Sequence, residues 1–102
     1  MNDKTVISKK LNKEVAIIEV LSKNELVIKA KIIEDKFPPI LVDLINKSIT
    51  AANELSFAVF DEIESEISSY KLFLKELDIE IFDLYINGNV MKFRVKEQFA
   101  KQ

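Results

Sequence analysis

The sequence predicts an α+β domain in which two antiparallel β-hairpins flank a central helical region. The order is β-β-α-(α)-β-β, with the helices covering one sheet face. Three observations predict it. Apolar residues alternate on both sides of a polar turn between Val15 and Ile33, and they do so again around Asn87-Gly88-Asn89. Between them, apolar residues recur at helical spacing from Leu41 to Leu77. The 102 residues suit one domain, 1–102, with 1–12 and 98–102 partly frayed and Thr5–Ser8 adding a short edge strand.

The first hairpin joins Val15–Leu21 to Leu26–Ile33 through Ser22-Lys23-Asn24. A three-residue loop sets Val20 against Leu26, Ile18 against Ile28 and Ala16 against Ala30. One face is then wholly apolar: Ala16, Ile18, Val20, Leu26, Ile28, Ala30 and Ile32. A slip of one residue would turn that set outward.

Phe37-Pro38-Pro39 opens the helical region, because proline fits the first helical turn. Leu41, Leu44, Ile45, Ser48, Ile49, Ala52, Leu55 and Val59 share one face, and Ile63, Ile67, Tyr70, Leu74 and Leu77 continue its phase. A single helix of about 40 residues would be roughly 60 Å long, too long for a domain of this size. Two helices meeting at a bend near Phe57–Asp61 are expected, with Asp61 as N-cap and Glu64 as its capping-box acid. One long or kinked helix is the alternative. Leu72 then lies off the apolar face; the alternation Tyr70-Lys71-Leu72-Phe73-Leu74-Lys75 also reads as a strand with Leu72 inward, but the helix is preferred.

The second hairpin pairs Ile79–Ile86 with Val90–Lys96. An Asn87-Gly88 type I′ turn sets Leu84 against Met91, Phe82 against Phe93 and Asp83 against Lys92. Gly88, the single glycine, reads as turn geometry.

Composition narrows the chemistry. There is no His and no Cys, which removes the commonest general base, the thiol nucleophile and the commonest metal ligands. Ser68-Ser69-Tyr70-Lys71 spells Ser-x-x-Lys without the companion motifs of serine penicillin-recognising enzymes. No Gly-rich phosphate loop is present, and Asp61, Glu62 and Glu64 diverge around a helix, with Glu62 and Glu66 alone sharing a face. No catalytic, cofactor or metal residue is therefore assigned, and no enzymatic activity is expected. No apolar run is long enough to span a membrane and the N-terminus lacks a signal core, so a cytoplasmic protein is expected. The bias to Lys, Ile and Asn suggests a bacterial source. No motif ties the chain to a known family.

Net charge is −2, but it is uneven: +2 over residues 1–36, −7 over 37–87 and +3 over 88–102. Lys92, Arg94 and Lys96 alternate on one strand face. The register puts Phe82 and Phe93 on the other face, so this row reads as solubilising and as a guard against edge pairing, and no nucleic-acid partner is expected. The acidic centre reads as a surface for a protein partner with a basic surface. The expected function is a small protein-interaction module of immunity or inhibitor type. Asp61, Glu62, Glu64 and Glu66 would supply charge and Leu72 an apolar contact. The alternatives are a structural subunit that self-associates through the long helical region, and a small-ligand-binding domain. A homodimer is expected, because an apolar stripe running straight from Leu41 to Leu77 is longer than two short hairpins can cover.

Overall fold

The computed structural model describes residues 3–96; the fraying expected over 98–102 lies outside them. The elements are β1 (Asp3–Ser8), β2 (Lys13–Asn24), β3 (Val27–Asp35), α1 (Pro39–Asn53), α2 (Phe57–Ser68), β4 (Leu72–Leu74), β5 (Ile79–Asn87) and β6 (Val90–Val95). Among the described residues the strands form a closed barrel in the order β1-β2-β3-β6-β5-β4, with every neighbouring pair antiparallel. This corrects the expected open sheet with helices on one face. The sheet curls round its own apolar face and encloses the core itself. The helices link the end of β3 to the start of β4, and α1 adds Leu41, Leu44 and Ile45 to that core.

Two misread segments account for the difference. Thr5–Ser8 belongs to a strand as expected, but β1 begins at Asp3 and is paired on both sides, so it is neither frayed nor an edge. Tyr70–Lys75 is not the end of a helix. Lys71 takes a left-handed φ of 55°, and Leu72–Leu74 run on as β4. With β1 and β4 in place, a sheet that would have two open edges has none.

The inward set of the first hairpin is correct but its pairing is not. The loop is Glu25-Leu26, with Asn24 opposite Val27; Ile18 faces Ile32 and Val20 faces Ala30. Leu21 and Ile33 are extra residues in the ladder, left without direct partners, and both are exposed. The displacement at Ile18 and Val20 is four residues, an even number, so the inward set survives. In the second hairpin Asn87 faces Val90 around Gly88-Asn89. Positive φ occurs at Gly88 (65°) and not at Asn89, the φ signature of type II′ rather than I′. A bulge between Phe82 and Tyr85, where Asp83 has φ 57°, sets Phe82 opposite Arg94 and Tyr85 opposite Lys92. Phe82 is therefore not the inward partner of Phe93, although Met91, Phe93 and Val95 do point into the core.

The helical region contains two helices, with the break at Glu54–Ser56 rather than Phe57–Asp61, and Asp61 lies inside α2 rather than capping it. The break satisfies backbone groups in a Schellman arrangement: Ser56 N–H donates to Ala51 O (2.9 Å) and Leu55 N–H to Ala52 O (3.2 Å). Leu55 occupies the left-handed position, φ 58°, that such a cap usually gives to glycine.

Because Leu72 is only 2% exposed within β4, Leu72→Ala should destabilise the protein by about 2–5 kcal/mol. An exposed helical leucine would cost no more than about 0.5 kcal/mol. Urea unfolding midpoints decide between the two placements.

Candidate functional site

The acids singled out from the sequence all lie on α2, but they divide. Asp61, Glu62 and Glu66 are exposed, and among the described residues none of them forms an ion pair. Helical spacing places Phe57 and Asp61 one turn apart, and Val59, Glu62 and Glu66 along another row. Each acidic row thus begins at an apolar residue. Leu72 is not among them: buried in β4, it has no surface to offer a partner.

Glu64 is half-buried on the flank of α2 that faces the β5 bulge. Its carboxyl is pushed above the ordinary value first by desolvation, then by the Asp83 carboxylate. The Asp83 backbone N–H opposes this by favouring the charged form, and Asp61 adds a further upward push. Glu64 is thus less exposed than the other three acids and packs towards the β5 bulge.

The apolar component of the site is hidden in the sequence. Leu55, Phe57 and Val59 are 70%, 66% and 49% exposed. Continuing the phase of α1 assigns Leu55 and Val59 to the inward face. The left-handed turn at Leu55 resets that phase, and no Gly or Pro announces it. Neither helix has a side-chain N-cap hydrogen bond, and Ile67 is the one fully buried residue of α2. Helices this short owe most of their stability to packing, so α2 is lightly held. Between the helices runs an open groove of about 380 Å³, lined in part by Thr50, Glu54, Ser56, Val59 and Ile63.

Among the described residues two hydroxyls are fully buried, those of Ser8 and Ser48. The buried hydroxyls are both committed: Ser8 Oγ donates to Tyr70 O and accepts from Leu11 N–H, and Ser48 Oγ donates to Ile45 O. Among the described residues no group of three or more carboxylates converges as for a metal ion. At the barrel end away from the helices, Val20, Ile28, Leu74, Leu77, Ile79 and Val95, with Lys4 and Lys23, line a cup of about 200 Å³. No described helix is long and apolar enough to cross a membrane. No protein-family model matches this chain, and comparison with curated proteins and with solved structures finds no significant match.

The raised Glu64 pKa has a definite sign. The folded state holds that proton more tightly than the unfolded state, so stability falls as pH rises from about 4.5 to the raised native value. Glu64→Gln should therefore stabilise the protein at neutral pH and flatten its stability profile just above pH 4.5. Urea midpoints across that range measure it; parallel profiles for the two proteins would contradict the assignment.

Proposed function

We propose that the chain is a non-enzymatic protein-interaction module, of the immunity or inhibitor type, which binds a partner with a basic and partly apolar surface. The docking surface is the α1–α2 junction and the exposed side of α2. The observation that carries this reading is Leu55. A bulky residue at positive φ is strained, and this one is also 70% exposed. Glycine would relieve the strain and asparagine would reduce it, without loss of packing. A large apolar side chain held at that cost, beside exposed Phe57 and Val59, is accounted for by a contact made outside the chain.

The two acidic rows add selectivity. Unpaired carboxylates at the rim of an apolar contact attract a basic surface and speed its approach. They also argue against a homodimer through this face, since a two-fold contact would set Asp61, Glu62 and Glu66 of one copy against the same acids of the other. The homodimer expected from the sequence relied on one long overhanging helix, and two shorter helices leave no such overhang. A monomer mass of 11.8 kDa is the sedimentation result that accords with a hetero-partner.

Leu55→Gly separates function from stability. It should raise stability by about 1 kcal/mol, because glycine takes the left-handed conformation freely, and it should weaken capture of the partner that wild type retains. Glu62→Lys with Glu66→Lys should leave folding within about 1 kcal/mol and slow association with that partner by about 10- to 1000-fold at low salt. If Leu55→Gly binds as well as wild type and the reversed variant associates at the wild-type rate, this face is not the docking surface.

A further inference from the structure

The outer face of β3, β6 and β5 carries the opposite charge from α2. Two rows cross it. Lys29 of β3 lies opposite Lys92 of β6, and Lys92 lies opposite Tyr85 of β5. One step along, Val27 lies opposite Arg94, and Arg94 opposite Phe82. Lys31 extends the basic side. Lys29, Lys31, Lys92 and Arg94 are exposed, and among the described residues none of the four forms an ion pair. Tyr85 is 41% exposed, with Lys92 Nζ 6.0 Å from its ring centre, and Phe82 is partly exposed.

Like charges directly opposite in an antiparallel pair are destabilising, so Lys29 facing Lys92 works against folding. A closed barrel has no edge on this face, so protection against edge pairing does not explain the row. What relieves the repulsion is an anion laid along it. The aromatics narrow the kind of anion. Sheets that bind single strands pair cations for the phosphates with aromatic faces on which bases stack, and here both cross-strand rows run from the β3 side to an aromatic ring on β5. The sequence register excluded this reading by turning Phe82 inward; the bulge at Asp83 turns it out.

We infer that this face binds a short single-stranded nucleic acid. Its phosphates follow Lys29, Lys92 and Arg94, and its bases stack on Tyr85 and Phe82. Four acids border the face: Glu80 is paired with Lys96 at 3.2 Å, Glu19 of β2 lies opposite Lys31 and offsets its charge, and Asp83, with Glu64 beside it, lies on the base side, away from the Lys29–Lys92 row. The inference does not rest on the docking surface proposed for α2, although Tyr85 shares a small groove with Phe60 of that helix.

Fluorescence anisotropy of a labelled oligothymidylate of about twelve nucleotides tests it, at about 20 and 200 mM salt. Wild type should bind at low salt and weaken with salt. Lys29→Gln with Lys92→Gln should lower affinity at least 10-fold and reduce the salt slope by about 0.7 for each phosphate that is no longer neutralised. Its melting temperature should be unchanged or higher, since the repulsion is removed. Tyr85→Ala should lower affinity by about 5- to 150-fold, the cost of removing one stacked base, with the salt slope unchanged. Absence of binding at low salt overturns the inference. So does a Tyr85→Ala variant that binds like wild type, or a polyglutamate peptide that binds as tightly as the oligonucleotide, which would mark an acidic-protein surface. Self-association that disappears in the lysine double variant would assign the face to the acidic α2 of a second copy and would also overturn it.

Discussion

The pairing of β1 with β4 is the constraint on which the rest of this structure depends. It covers only Val6–Leu74, Ile7–Phe73 and Ser8–Leu72, yet it closes the barrel. The seam is reinforced beyond the ladder. Lys75 N–H donates to Thr5 O (2.8 Å), Lys9 N–H to Lys71 O (2.9 Å) and Thr5 N–H to the Glu76 carboxylate (2.8 Å). Desolvation pushes the Glu76 carboxyl up, but hydrogen bonds from the Thr5 backbone N–H and hydroxyl and from its own backbone N–H, with the nearby Lys4 charge, outweigh it and hold the carboxyl below the ordinary value. Lys9 lies 3.8 Å from the centre of the Phe73 ring and pairs with Asp78 at 3.0 Å. Without this seam Val6, Leu72 and Leu74 lose their cover, and each such side chain contributes about 1.5–3 kcal/mol by burial.

Closing so small a sheet demands strong twist and coil. The chain has one glycine, in a turn, so it bends its strands by inserting residues. Four irregularities do this. Val15 is extra against β1, and Val15 and Ala16 are both fully buried as a result; Leu21 and Ile33 are extra between β2 and β3; the fourth is at Asp83 and Leu84. The same devices shape the surface. The Asp83 bulge swings Phe82 and Tyr85 outward beside Arg94 and Lys92, and its carboxylate helps to keep Glu64 protonated to a higher pH. One strand defect thus reaches both the basic β face and the packing of α2.

Much of this was legible in the residues. Alternation at Ala16–Ile32 and Met91–Val95 identified strands and their inward faces, because burial enforces a period of two whatever the pairing. Register was not legible, because bulges leave no composition signal and an even shift preserves the inward set. Leu72 was misplaced because three residues are too few for periodicity to separate strand from helix, and only the distant partner β1 decides. The acidic side of the candidate site could be read directly, since three of its four acids are indeed exposed. Its apolar side could not, because the signal that ends α1 is a left-handed leucine where glycine is expected.

The seam itself offers the most direct test, by solution NMR of the intact chain. A closed barrel predicts cross-strand contacts between Val6 and Leu74, Ile7 and Phe73, and Ser8 and Leu72. It also predicts slow amide exchange at Lys9 and Lys75, whose N–H groups donate across the seam, approaching that of the central barrel strands. Helical sequential contacts running through Ser68–Leu74, with fast exchange along Thr5–Ser8, would contradict the closed barrel and restore an open sheet with two edges.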